Sequence, residues 1–208
     1  MKKGLFITFE GCEGSGKTTQ AKRLYRYLKK RQYKCILTHE PGGTVISEKI
    51  RRILLNKTNS EIAPLTELFL YLASRAQHTE EVIKPFVKKG AIVISDRYAD
   101  SSLSYQGAAR KLSIELVKKL NKIATSDIAP DITFVIDIDP KKGLKRISGK
   151  DRIEREKIKF HLNVRETYLK IAKLEKKRIK LIDGDKPKDE IFSEVLNKTL
   201  SHPWFKKQ

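Results

Sequence analysis

The sequence has few cysteines and no long apolar run. Cys12 and Cys35 are the two cysteines among 208 residues, too few for a disulfide framework and without metal-site spacing. The first residues, Met1 to Gly4, lead directly into a short apolar run and predict no signal peptide. Since no apolar run approaches the roughly 20 residues that span a bilayer, we expect a reduced, cytoplasmic protein with no membrane partner.

Acidic residues are scarce relative to basic ones. The chain has 45 Lys and Arg against 25 Asp and Glu, which gives a net charge of +20. This surplus favours polyanionic partners such as nucleotides, nucleic acid or an acidic membrane surface. A solvated, lysine-rich surface that only raises solubility explains the same charge. Since no nucleic-acid recognition motif is visible, we expect no specific nucleic-acid partner.

Short apolar runs alternate with longer segments of helical period, a pattern typical of a parallel sheet covered on both faces. We therefore predict an α/β fold in a single domain over residues 1–208, with helices flanking a five-stranded parallel sheet. The predicted strands are Leu5 to Phe9, Lys34 to Thr38, Ala91 to Ser95, Thr133 to Ile138 and Ile179 to Ile182. The charged stretch from Ser148 to Glu156 lacks a clear apolar period and predicts a short mobile lid.

Apolar residues recur at helical spacing between the strands. Pro64 and Pro187 are predicted to open two further helices, because proline is favoured at the first helical turn. The three clearest stripes are Ala21, Leu24, Tyr25 and Leu28; Ile46, Ile50, Ile53 and Leu54; and Ile114, Val117, Leu120 and Ile123.

The residues GCEGSGKT, which follow the first predicted strand, fit the pattern G-x-x-x-x-G-K-[ST] of a phosphate-binding loop. Its glycines let consecutive backbone N–H groups converge on one anion, and the helix that follows points its positive end the same way. Lys17 is expected to reach the β- and γ-phosphates, and Thr18 a magnesium ion. The alternative is a glycine turn that binds nothing. The loop residues are Gly11, Cys12, Glu13, Gly14, Ser15, Gly16, Lys17 and Thr18.

A second motif, Asp96-Arg97-Tyr98, follows the third predicted strand at the edge where open α/β folds bind ligands. Asp96 can hold magnesium, usually through water, and the planar fork of Arg97 suits a bidentate contact with phosphate. Considered alone, the pair is better explained as a structural salt link. The phosphate-binding loop upstream reverses that preference.

Tyr71 and Arg75 lie four residues apart and therefore on one face of the predicted helix after Pro64. Tyr71 could stack on a base while Arg75 donates hydrogen bonds to it. Core packing of Tyr71 beside a surface Arg75 is the alternative. The four histidines show no ligand spacing, and we interpret them as structural.

Taken in order, the motifs resemble those of the thymidylate kinase family, which phosphorylates dTMP. The resemblance implies a P-loop NTPase fold that transfers the γ-phosphoryl group of ATP to dTMP with magnesium, in a homodimer. The matching segments are FEGCEGSGKTT from Phe9 to Thr19, EPGGT from Glu40 to Thr44, Tyr71 with Arg75, DRYADSSLSYQG from Asp96 to Gly107, DIDPKKGLKR from Asp137 to Arg146, and KDRIE from Lys150 to Glu154.

The resemblance also implies roles for single residues. On the ATP side, the loop from Gly11 to Thr18 holds the phosphates, Thr18 and Asp96 hold magnesium, and Arg146 lies against adenine. On the dTMP side the implied contacts are Arg97 with the phosphate, Glu13 with the sugar 3′-hydroxyl, Tyr71 stacked on thymine, Arg75 and Ser102 with the base, and Tyr105 crowding the sugar C2′.

Some relatives carry an arginine in the loop directly after the acid, but here that position is Gly14. The cation for the transferring phosphoryl group must then come from the lid, and the resemblance implies Arg152, supported by Lys150 or Arg155. Cys12 stands where an apolar residue is commoner. We expect sensitivity to thiol reagents if the neighbouring lysine and helix end lower its pKa.

Two other functions stay open at this point. A kinase for another nucleoside monophosphate or a deoxynucleoside would share the ATP side of the site, although Tyr105 and Arg75 argue against it. A nucleic-acid-binding P-loop ATPase would suit the net charge of +20. A GTPase is disfavoured because no Asn-Lys-x-Asp guanine motif is present.

Overall fold

The structure, a computed structural model, describes residues 4–149 and 151–206. Its centre is a five-stranded parallel sheet in the order β2-β3-β1-β4-β5, which confirms the predicted α/β fold. Each predicted strand end lies within one residue of the observed one. The strands are β1 Leu5–Glu10, β2 Cys35–His39, β3 Ile92–Asp96, β4 Ile132–Asp137 and β5 Ile179–Asp183.

Helices connect the strands and cover both faces of the sheet. They are α1 Lys17–Lys30, α2 Val45–Leu55, α3 Pro64–His78, α4 Lys84–Lys88, α5 Ala99–Ser102, α6 Ile114–Ala124, α7 Pro140–Lys145, α8 Ile158–Leu174, α9 Lys188–Leu200 and α10 Pro203–Lys206. Pro64 begins α3 and Pro187 caps α9, as predicted. Two π-helical segments, Thr79–Ile83 and Leu103–Ala109, lie after α3 and α5. Pro85 lacks the N–H that would donate to Glu81, so the regular hydrogen-bond ladder is broken near the first segment.

The core lies on both sides of β1, whose six residues are all buried. On one face, Ile7 and Phe9 pack with Leu24 of α1 and Val195 of α9. On the other, Phe6 packs against Tyr98 with ring centroids 4.9 Å apart. Burial of each such side chain stabilises the fold by roughly 1.5–3 kcal/mol. This packing holds β1 in place and so positions the carboxyl edge of the sheet, where the loops after β1 and β3 meet.

The apolar stripe on α2 faces largely outwards. Leu54 is fully buried, but Ile46 and Ile53 are 50% and 46% exposed. Helix α2 packs on α3, and α3 packs on α6. These three helices share an outer surface that we call the α2–α3–α6 face. Its exposed apolar residues are Val45, Ile46, Ile53, Leu65, Phe69, Leu116 and Ile123.

The predicted lid, residues 148–156, contains neither helix nor strand among its described residues. Turns occupy residues 152–155, and Lys150 lies outside the described residues. Nor does any helix in the described ranges combine the length and the apolar character needed to cross a membrane.

Candidate active site

The loop between β1 and α1 has the backbone shape of an anion cradle. Gly11, Gly14 and Gly16 have φ of +138°, +67° and +92°, which side chains other than glycine disfavour. Gly14 also touches Gly143 of α7: a Cβ on Gly14 would lie 2.0 Å from the Gly143 carbonyl oxygen. Helix α1 starts at Lys17 with its positive end on the loop.

The end of the loop meets the end of β3. The Thr18 hydroxyl donates to Asp96 Oδ2, while Asp96 Oδ1 is buried with no hydrogen-bond partner among the described residues. Lys17 Nζ donates to the Cys12 carbonyl at 3.2 Å. Burial and the charge of Arg97 lower the pKa of Lys17. The Thr18 hydroxyl and the free oxygen of Asp96 are ligands suited to a hard cation such as Mg²⁺. Phosphate oxygens and water would supply the remaining ligands of such an ion.

Arg97 lies at the centre of the site. Its backbone has φ +75°, a conformation that costs energy outside glycine. The amide donates to the Phe9 carbonyl at 2.9 Å. Nη2 donates to Glu13 Oε1 at 2.8 Å and to Tyr105 OH at 2.9 Å. The guanidinium therefore binds the loop through Glu13.

Glu13 receives three side-chain hydrogen bonds. Oε1 accepts from Arg97 and from Tyr105 OH at 2.5 Å, and Oε2 lies 3.2 Å from His161 Nδ1. Burial alone would raise the pKa of Glu13, but the His161 bond and the charges of Arg97 and Lys17 outweigh it and hold the pKa well below its usual range. Glu13 is thus a carboxylate acceptor inside the cleft.

Beneath Arg97, Glu10 is fully buried at the end of β1. It accepts from the Tyr98 amide and from the hydroxyls of Ser101 and Tyr168, each at 2.7 Å. Both hydroxyls also lie 3.3 Å from Arg97 Nη1. Burial and the charge of Asp100 raise the pKa of Glu10 to about 7.

Tyr71 lines the cleft, whereas Arg75 is buried and does not line it. Arg75 is 1% exposed. Four hydrogen bonds use its guanidinium: to Glu40 at 2.8 Å, Ser102 at 2.8 Å, Asn121 at 2.6 Å and the Tyr98 carbonyl at 3.0 Å. Neither Arg75 nor Ser102 lines the cleft in this conformation.

The lid residue Arg152 is also turned away from the cleft. It is 6% exposed; Nη1 pairs with Glu67 Oε2 at 2.7 Å and Nε donates to the Leu54 carbonyl at 2.7 Å. Glu67 additionally accepts from Gln106 and Arg110, and Arg110 pairs with Glu156 at 2.7 Å. We call Glu67, Gln106, Arg110, Arg152 and Glu156 the Glu67 cluster. The ion pair between Arg152 and Glu67 connects the lid to α3, and the pair between Glu156 and Arg110 connects it to the end of the second π-helical segment.

Other lid residues do face the cleft. Asp151, Ile153 and Glu154 line it, as does Arg146 at the end of α7. Arg146 is exposed, and its Nη1 lies 3.4 Å from the Gly14 carbonyl. Arg155 is exposed. In this conformation Arg146 contacts the loop, whereas Arg152 pairs with Glu67.

Cys12 does not have the lowered pKa considered from the sequence. It is 3% exposed, and burial together with the charge of Glu13 raises its pKa to about 12. The condition for the expected thiol sensitivity, a lowered pKa, is therefore not met, because burial disfavours the thiolate more strongly than Lys17 and Arg97 stabilise it.

The residues from Glu13 to Thr18, together with Asp96, Arg97 and Tyr105, line one cleft of about 1160 Å³ at the carboxyl edge of the sheet. Its walls run from the glycine loop past Asp96 and Arg97 to Tyr71. A glycine loop after a central parallel strand, opening a helix and facing an Asp-Arg pair, defines a P-loop phosphotransferase class of site.

Comparison with known proteins narrows this class. A family model described as thymidylate kinase matches residues 9–195. The chain is 46% identical over 206 residues to a thymidylate kinase of Maridesulfovibrio salexigens, covering 94% of this chain and 95% of the relative. It is 49% identical over 197 residues to one of Thermoanaerobacter sp., covering 94% and 97%. The crystal structure of thymidylate kinase from Ehrlichia chaffeensis superposes with a TM-score of 0.79 at 34% identity, covering 95% of this chain and 99% of that one. The chain belongs to the thymidylate kinase family.

Several residues of the site carried no usable sequence signal. Glu67, His161 and Tyr168 are single polar residues within helices, and their partners are distant in sequence; Glu13 and His161, for example, are 148 residues apart. Glu10 lies in the motif from Phe9 to Thr19, but the motif does not reveal its bonds to Ser101 and Tyr168. Their burial could have been suspected only from their places on inward faces.

Proposed function

We propose that the chain transfers the γ-phosphoryl group of ATP to dTMP, giving dTDP and ADP. Phosphorylation of dTMP is the activity that defines the family. The observation that carries the proposal is the single cleft in which the glycine loop and Lys17 face Arg97 and Glu13, with Tyr71 beyond them. Two nucleotides can lie there with their phosphates meeting between Lys17 and Arg97.

Positioning and charge neutralisation supply the catalysis in this proposal. The loop amides, the start of α1 and Lys17 hold the ATP phosphates, and Arg97 holds the phosphate of dTMP. The attacking oxygen already belongs to a phosphate ionised at neutral pH, so no strong general base is needed. Closure of the lid over the cleft excludes water.

Magnesium fits the Thr18–Asp96 pair. The buried Asp96 Oδ1 lacks a partner, and no group of three or more His, Cys, Asp or Glu that could hold a metal occurs in the described part of the chain. One carboxylate and one hydroxyl leave room for water and phosphate oxygens, as Mg²⁺ prefers. When bound, the ion would neutralise charge on the phosphate oxygens.

Recognition of the nucleoside falls to the other end of the cleft. Tyr71 stacks on thymine, Tyr105 excludes a ribose 2′-hydroxyl by its bulk, and Glu13 accepts from the 3′-hydroxyl. For Arg75 and Ser102 to reach the base edge, the Arg75 network must exchange one of its present bonds. Its buried pair with Glu40 at 2.8 Å keeps Arg75 aligned with that edge.

The cation on the transferring phosphoryl group comes from the lid or its base. Arg146 already faces the cleft. Arg152 can serve only after leaving Glu67, and Lys150 and Arg155 stand as supporting candidates. An arginine in this role is worth about 10³ to 10⁵ in rate.

A panel of acceptors tests the proposal. With ATP and magnesium, turnover should be highest with dTMP when compared with dUMP, UMP, CMP, AMP and thymidine. The variant Lys17→Met should lose transfer to dTMP, whereas Lys30→Met, on an exposed residue at the end of α1 that does not line the cleft, should retain it. Equal or better turnover of AMP or CMP would contradict dTMP as the substrate. A DNA-stimulated ATPase rate without transfer would favour the nucleic-acid ATPase instead.

The homodimer is part of the same proposal, and so is the cytoplasmic setting. The packed helices α2, α3 and α6 each carry large exposed apolar side chains, with Val45 75%, Phe69 51% and Ile123 76% exposed, and exposed apolar surface of this kind is typical of interaction sites. Phe69→Glu should reduce the mass in solution from twice 23.9 kDa to 23.9 kDa. Leu174→Glu, on an exposed leucine outside the α2–α3–α6 face, is the control. A wild-type monomer would contradict the dimer.

A further inference from the structure

The imidazole of His161 is enclosed between α8 and the glycine loop. His161 is fully buried, and its Nδ1 lies 3.2 Å from Glu13 Oε2. Its carbonyl oxygen faces the Cys12 thiol at 3.8 Å, and its ring packs edge-on against Phe160. Both the backbone and the side chain of His161 therefore contact the loop.

The two ring nitrogens of His161 have different surroundings. Glu13 is a carboxylate and can only accept, so Nδ1 carries the proton in the bond between them. Nε2 is buried without a hydrogen-bond partner among the described residues. A buried polar atom without a partner costs about 1–3 kcal/mol. A phenylalanine would avoid that cost, which indicates that the imidazole is retained for its bond to Glu13.

We propose that His161 is a positioning residue for the Glu13 carboxylate, and that this bond sets how strongly the enzyme selects acceptors that carry a sugar 3′-hydroxyl. The inference rests on the proposed function, in which Glu13 accepts from that hydroxyl. In this inference His161, on α8, helps to determine which acceptor nucleotides the site selects.

A count of lone pairs shows where the hydroxyl fits. A carboxylate offers about four acceptor positions. Arg97 and Tyr105 fill both on Oε1, and His161 fills one on Oε2. The remaining position lies on Oε2, the oxygen that His161 orients, and Glu13 lines the cleft. The bond from His161 therefore determines where the free lone pair points.

His161 is also the Glu13 partner that stays in place during the reaction. In the proposed function Arg97 also binds the phosphate of dTMP, so its guanidinium is shared between that phosphate and Oε1. Because His161 is fully buried, it has no solvent route away from Oε2. Without it, the remaining side-chain partners of Glu13, Arg97 and Tyr105, would both lie on Oε1 and would leave Oε2 without a fixed partner.

The test compares kcat/KM for dTMP with that for the same nucleotide lacking the 3′-hydroxyl. The ratio of the two should fall about tenfold in His161→Phe, because a hydrogen bond to a charged group is lost. His161→Asn places an amide N–H near the position of Nδ1 and should keep the ratio within about threefold of wild type. Glu13→Gln measures the part of the ratio that depends on Glu13 itself.

The outcomes separate the inference from the proposed function. If Glu13→Gln lowers the ratio and His161→Phe does not, the positioning role is wrong and the role of Glu13 stands. A fall in activity that is equal for both acceptors in His161→Phe would show a merely structural histidine and would also overturn the inference. If Glu13→Gln leaves the ratio unchanged, both the Glu13 assignment and the inference fail.

A measurement on the wild-type protein covers the case in which His161→Phe does not fold. In protein labelled with ¹⁵N in its histidines, the Nδ1 signal absent from His161→Asn belongs to His161. That signal should shift more on binding dTMP than on binding the 3′-deoxy nucleotide. Equal shifts with the two nucleotides would overturn the inference.

Discussion

The Glu67 cluster predicts that one buried carboxylate on α3 controls the opening of the lid. Glu67 is fully buried and pairs with Arg152 at 2.7 Å and Arg110 at 3.0 Å. Glu67→Gln keeps the size of the side chain but removes its charge. Breaking a buried ion pair costs about 3–5 kcal/mol. We expect the low end, about 3 kcal/mol, because Arg110 keeps Glu156 and Arg152 keeps the Leu54 carbonyl.

Hydrogen exchange of the lid amides measures how much more easily the lid opens in Glu67→Gln. If the lost energy appears as easier local opening, amides of residues 151–156 should exchange about 100-fold faster in Glu67→Gln, since each 1.4 kcal/mol changes the opening constant tenfold. Amides of α9, which packs on α1 and β5, should exchange at the wild-type rate. Glu115→Gln, which removes an exposed charge from α6, is the matched control.

Two results would refute this reasoning. Lid exchange within about threefold of wild type would mean that the Arg152–Glu67 pair does not hold the lid closed. Equal acceleration in the lid and in α9 would mean that Glu67 stabilises the whole domain rather than the lid. The first result would also remove one reason for ranking Arg146 ahead of Arg152, namely that Arg152 is held by Glu67.

Three further predictions concern single side chains. Because burial raises the pKa of Glu10 to about 7, the folded state binds its proton more tightly than the unfolded state; the free energy of unfolding should fall by about 3 kcal/mol between pH 4.5 and 7. Urea unfolding should show this fall in wild type and not in Glu10→Gln. Cys12, whose pKa is raised to about 12, should resist iodoacetamide at pH 8 in native protein by mass spectrometry; labelling as fast as in denatured protein would contradict its burial. Tyr71→Ala should raise KM for dTMP about tenfold through lost stacking, with KM for ATP unchanged and Tyr71→Phe close to wild type; an equal rise in both constants would argue against stacking.

Periodicity and motif spacing predicted the sheet and the glycine loop after β1, because both are local. Strand ends follow from apolar runs, and the cradle of Gly11, Gly14 and Gly16 follows from contiguous residues. The direction of the α2 stripe was not predictable, since a helical period does not say which neighbour covers it. The same limit applies to Arg152: its sequence position in a charged lid did not reveal that Glu67, on another helix, binds it.

On the proposed acceptor side, the sequence indicated only residues that lie in motifs, such as Tyr71 and Tyr105. His161 supports Glu13 from α8, and Glu10 binds Ser101 and Tyr168, through bonds that only the folded chain forms. Such supporting contacts leave no spacing pattern, because they join residues that are distant in sequence.

The contact between Gly14 and Gly143 constrains how this kinase can evolve. A Cβ on either residue would meet a backbone oxygen of the other segment at 2.0 or 2.2 Å, so the loop and α7 can diverge only together. A loop arginine at position 14 would therefore displace α7 and distort the phosphate cradle unless the segment around position 143 also changed. Relatives that carry an arginine directly after the loop acid should accordingly differ from this chain near position 143 as well.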